Sequence, residues 1–257
     1  YVPGGDGTLY ALSRDGALQW SYVATDWIQS APTVAADGVI YFGSWDDNFY
    51  ALSPTGELLW SALTGGDVVG SAAIAADGAV IFGSRDRFVY ALNLDGSLRW
   101  SVDTGDGAEA SPVIGADGTI YIGSSSGKFL ALNPDGTIKW QKQLTEAIYG
   151  TAAVRADGSV VVGASDFKLH AWSATGAELW TTELGDWVDS SPVVGENGRL
   201  YVGCYDKKLY SIVSTSGVDL NGDWPQFQRT AQREGWQMRG SMTSATGRLQ
   251  NLSVRTT

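Results

Sequence analysis

The chain has 257 residues, 44% of them hydrophobic and 18% charged, with a formal net charge of −11. That mixture suits a well-buried globular fold and excludes a disordered chain, while so large an acid excess repels phosphate backbones and argues against a nucleic-acid partner. The lone cysteine, Cys204, excludes an internal disulfide, and no apolar run reaches the roughly 18 residues that a membrane span needs.

In chain order the dominant feature is a unit repeated every forty residues from Tyr1 to about Tyr210. Trp20, Trp60, Trp100, Trp140 and Trp180 keep that step, as do Gly16, Gly56, Gly96, Gly136 and Gly176, and Gly43, Gly83, Gly123, Gly163 and Gly203. Alternation of apolar and polar residues predicts four strands in each unit. In the second unit they are residues 30–35, 39–44, 49–53 and 57–62. Ala36-Asp37-Gly38 and Pro54-Thr55-Gly56 are the turns, and Trp45 to Asn48 is a loop. Four short strands per unit predict an all-β fold, a β-propeller of four-stranded antiparallel blades. Six blades are expected, or seven or eight if the natural chain is longer. The opening unit lacks its first strand and the closing unit its fourth. Residues 1–213 are expected to form the propeller, and 214–257 a closing segment or the start of a following module. In that tail, Trp224 and Phe227 are expected to plug an apolar groove.

The third-to-fourth-strand stretches Ala91-Leu92-Asn93-Leu94-Asp95-Gly96 and Ala131-Leu132-Asn133-Pro134-Asp135-Gly136 each lead to a tryptophan four positions on, Trp100 and Trp140. They resemble the tryptophan-docking motif of pyrroloquinoline-quinone-type propellers. The resemblance covers residues 1 to about 213 and implies the fold far more than an activity. It implies that Trp20, Trp60, Trp100, Trp140 and Trp180 are structural, each ring packing on the backbone of the next blade. The tail segment Trp224-Pro225-Gln226-Phe227 resembles one that flanks such repeats in bacterial relatives.

Positions where the copies agree serve the scaffold, and positions where they differ are free for function. The loops between second and third strands and those leading into the first strands should emerge at one end of the blades. They gather Trp27, Trp45, Tyr149, Trp187 and Tyr205 with Asp26, Glu109, Glu146, Asp186 and Asp189 around a rim. Such a rim suits a protein or glycan partner by stacking and cation–π contact. Asp46, Asp86, Asp166 and Asp206 are expected to be turn residues that bond their own backbone.

Catalysis is not expected. Quinone-dependent enzymes of the resembled family stack their cofactor beneath adjacent cysteines, and Cys204 stands alone. His170, the only histidine, fills the slot of Tyr10, Tyr50 and Tyr90 and reads as a core residue. No Ser–His or metal-ligand spacing appears, so no cofactor and no metal are expected. The expected function is a protein-interaction or scaffolding module of a secreted or cell-surface bacterial protein, extracellular, surface-bound or periplasmic. A carbohydrate-binding propeller using the rim aromatics is the alternative, and a quinone-dependent oxidoreductase a remoter one.

Overall fold

The computed structural model describes residues 1–195 and 199–213. They form six antiparallel sheets in chain order, each a simple meander. The first and last have three strands, and the four between them have four. The expected closing strand and the Trp224–Phe227 plug lie outside the described residues.

The second sheet runs Thr33–Val34, Ile40–Gly43, Asn48–Leu52 and Leu58–Leu63. Its first strand is much shorter than the predicted 30–35, and the same two-residue length recurs in the next three sheets. The amide just before it, at Ala31, turns to the Ser71 hydroxyl of the next unit instead of extending the ladder, and the Ser30 hydroxyl bonds both polar groups of Gly43, at 2.7 and 2.9 Å. The second strand is buried along its whole length, as an apolar run between two neighbouring blades must be.

Apolar layers between successive sheets hold them together. Phe49 stacks on Phe82 of the next sheet at 3.9 Å, and Phe129 on Trp172 at 5.1 Å. Two hydrogen-bonded hoops reinforce these layers. At the outer end, the indole N–H groups of Trp20, Trp60, Trp100 and Trp140 donate to the carbonyls of Pro54, Leu94, Pro134 and Ala174 in the following sheet, at 3.1, 2.8, 2.9 and 3.0 Å. Each ring lies on the turn glycine there, Gly56, Gly96, Gly136 or Gly176, whose φ is 82–86°. A left-handed backbone under an indole leaves room only for glycine. At the inner end, the amides of Ala31, Ser71 and Thr151 donate to the hydroxyls of Ser71, Ser111 and Ser191, one unit further on.

The aspartates of the second-to-third-strand loops are turn residues and something more. One oxygen of Asp46, Asp86, Asp166 and Asp206 accepts the backbone N–H two residues on. The other takes the hydroxyl of Tyr50, Tyr90 or Tyr210, or His170 Nε2. Asp6 and Tyr10 make the same pair, and the one unit without the aspartate, at Ser126, has Leu130 in the tyrosine slot. His170 is buried and stacks on Trp172, so it is a core residue.

These pairs predict an acid limit to stability. The hydrogen bond from Tyr210 holds the Asp206 carboxyl at about 2, against an ordinary 3.8. Burial opposes the shift at Asp46, but hydrogen bonds from Tyr50, Thr25 and Asn48 outweigh it and hold that carboxyl low as well. A depressed native pKa stabilises fully above the unfolded value and is lost as pH falls through the native one. Thermal midpoints should therefore hold from pH 7 to about 5 and fall between about 4 and 2, with a shallower fall in Asp46→Asn and Asp206→Asn.

Candidate functional site

At one end of the second to sixth sheets, two loops are tied together by the same backbone bond. The amides of Trp45, Arg85, Ser125, Ser165 and Tyr205 donate to the carbonyls of Trp27, Asp67, Gly107, Ala147 and Trp187. The next unit then bonds back, with Val68, Ala108, Ile148 and Val188 donating to the carbonyls of Ser44, Ser84, Ser124 and Ala164. The rim is therefore one continuous hydrogen-bonded belt, and its side chains are held on a rigid frame.

Along this belt the predicted residues fall into two groups. In the first, Trp27 and Trp45 pack 5.2 Å apart, and the Trp45 indole N–H donates to Gln29. Arg85 closes this group from within. Its guanidinium lies 4.8 Å from the Trp45 ring centre and donates to Asp67 (2.7 Å) and Glu109 (3.1 Å). The face of Trp45 and the carboxylate of Glu109 are thus already engaged by an internal cation. Asp26 is a local cap, its carboxylate accepting the Trp27 amide.

The second group is open. Trp187 and Tyr205 meet edge to face at 5.8 Å, and Asp186 caps the Trp187 amide as Asp26 does at Trp27. Asp189 accepts the Ser165 hydroxyl at 2.8 Å. Exposed Glu146 lines a shallow groove with Ser165, Lys168 and Trp187. Burial, then the negative charges of Glu109 and Asp189, push the Tyr149 hydroxyl up, with Arg85 opposing. Among the predicted aromatics Trp27, Tyr149, Trp187 and Tyr205 are 54%, 42%, 49% and 61% exposed, whereas Trp45 is half-buried.

The same groove contains Phe167, which sequence reasoning did not single out. It is 40% exposed and holds a φ of 70°. The left-handed backbone belongs to the repeat, because Asp47, Arg87, Gly127 and Lys207 hold the same slot at φ of 65–77°, so only the exposed ring sets Phe167 apart. Gly127 in the same slot one unit earlier is the signal that could have located it.

Cys204 lies between Gly203 and Tyr205, and its thiol donates to the Asp186 carbonyl as the Ser44 hydroxyl does to that of Asp26. It serves as a loop tie, and the residues do not fit the quinone cofactor of the enzymes that the repeat resembles. Among the described residues, no three His, Cys, Asp or Glu side chains are placed to hold a metal ion, and no helix is long and apolar enough to cross a membrane.

The family described as outer membrane protein assembly factor BamB matches residues 5–155 and 134–256. No curated protein matches the chain significantly. Among solved structures, BamB from Moraxella catarrhalis is similar with a TM-score of 0.70 and 21% identity, over 85% of this chain and 68% of that one. At that identity the likeness speaks for the fold alone.

Proposed function

The chain belongs to the family of outer membrane protein assembly factor BamB, and on that premise we propose that it is a non-catalytic propeller that holds a protein partner at its loop rim. The protein is of bacterial origin and works outside the cytoplasm, in the periplasm or at the cell surface. The observation that carries this reading is the open half of the rim, where Tyr149, Phe167, Trp187 and Tyr205 are all at least 40% exposed. Large aromatics held exposed on a rigid frame are what a protein contact surface uses for its anchors. The scaffold does not need them, because the equivalent positions of other units carry Gln29, Gly127, Gly107 and Ser125. The tryptophans Trp20, Trp60, Trp100, Trp140 and Trp180 serve blade docking and stand apart from this surface.

A glycan-binding rim draws less support. It would use Trp27, Trp45 and Trp187 as stacking platforms, and Arg85 covers one of the three.

Photo-crosslinking tests the reading. A benzophenone side chain placed at position 187 or 205, in the native host, should yield a discrete crosslinked protein. One at the exposed turn position 36, at the other end of the blades, should yield none. Crosslinks at 36 alone, or none at 187 and 205, would overturn the assignment.

A further inference from the structure

We propose that the open half of the rim takes a basic side chain of the protein partner at Asp189, in the place that Arg85 fills from within two units earlier. The inference rests on the reading of the rim as a protein contact surface and names the chemistry that the surface selects.

The chain contains its own template. Arg85 reaches Glu109, 24 residues on, and Ser165 reaches Asp189 by the same 24-residue step. The backbone beneath is the same in both places, with the Arg85 amide on the Asp67 carbonyl at 2.8 Å and the Ser165 amide on the Ala147 carbonyl at 2.9 Å. What differs is the filling. Where the first place has Trp45, Asp67 and the long arginine, the second has Ser125, Ala147 and Ser165. The carboxylate is kept and the cation is removed.

Ser165 donates to one Asp189 oxygen, Oδ1, which leaves Oδ2 to accept from outside. Among the described residues, no lysine or arginine makes an ion pair with Asp189, whereas Glu109 has its arginine. Tyr149 stands where the first place has Val69 and is 42% exposed. A carboxylate with a spare acceptor beside an exposed phenol ring, on a strongly acidic protein, is complementary to a guanidinium. The shorter side chains Ser125, Ala147 and Ser165 stand where the first place has Trp45, Asp67 and Arg85.

The test uses the whole chain and a defined probe, N-acetyl-arginine methylamide, with the neutral citrulline counterpart as its isostere. The arginine probe should shift the amide resonances of Ser165 and Asp189, and the citrulline probe should not. Asp189→Asn should weaken the shift at least about tenfold, as loss of a charge-assisted partner does. Ser165→Arg, which supplies the cation from within, should abolish it. In Arg85→Ala a second set of shifts should appear around Glu109. Equal response to both probes, or an unchanged response in Asp189→Asn, would overturn the proposal. If crosslinks at 187 and 205 form while the probe fails, only the assignment to Asp189 falls. If the crosslinks fail as well, the rim reading falls with it.

Discussion

Gly83→Ala is expected to destabilise the chain by about 3 kcal/mol or more, the upper end for overpacking. A Cβ at Gly83 would lie 2.1 Å from the Ala108 carbonyl oxygen and 2.8 Å from its Cβ. The obstacle is backbone of the next blade's rim loop, which cannot swing aside as a side chain can. Gly43, Gly123 and Gly163 meet Val68, Ile148 and Val188 with similar clashes. Urea unfolding of Gly83→Ala checks this, and a cost below about 1 kcal/mol would contradict the packing described between blades.

Trp100→Ala is expected to cost about 3 kcal/mol, at the lower end for tryptophan truncation because the ring is only half-buried. It removes both the indole on Gly136 and the hydrogen bond to the Pro134 carbonyl. Trp100→Phe, which keeps most of the ring, should lose about 1 kcal/mol for that bond. The cost of Gly136→Ala depends on the same ring. A Cβ there would stand 2.7 Å from it, so in the Trp100→Ala background only the penalty of a φ of 84° should remain. A double-mutant cycle in urea should therefore show strong coupling between residues 100 and 136, and additivity would contradict the packing described.

The ring of blades was legible in the sequence because each unit makes the same contacts with the next. Any residue needed for them, such as Trp60 or Gly96, must recur in register. The aspartates were legible only as turn residues; their bonds to Tyr50, Tyr90, Tyr210 and His170 are seen in the structure, although the joint loss of aspartate and tyrosine at Ser126 and Leu130 carries the signal. The first strands are shorter than their pattern predicts because the amides of Ala31, Ser71 and Thr151 bond to hydroxyls of the next unit, and a strand pattern does not distinguish such a partner from one in the same sheet. The rim residues were found as a group, but their division was not visible. Arg85 joins Trp45, Asp67 and Glu109 from three units, and composition alone counts all of them as equally available. Only the third dimension separates a carboxylate that has its cation from one that lacks it.

The two hoops have a direction, and it matters when the chain is made. Each indole donates to a carbonyl 34 residues further on, and each inner amide to a hydroxyl of the following unit. At synthesis rates of about 5–20 residues per second, a newly made tryptophan waits roughly 2–7 s for its acceptor to leave the ribosome. In both hoops each blade thus hands its donors to its younger neighbour, while at the rim Val68, Ala108, Ile148 and Val188 bond back to the older one. A nascent chain halted at any point presents the same face, a row of donors and bare indole, at its growing end. The bare donor edge of the half-made protein therefore moves forward with translation.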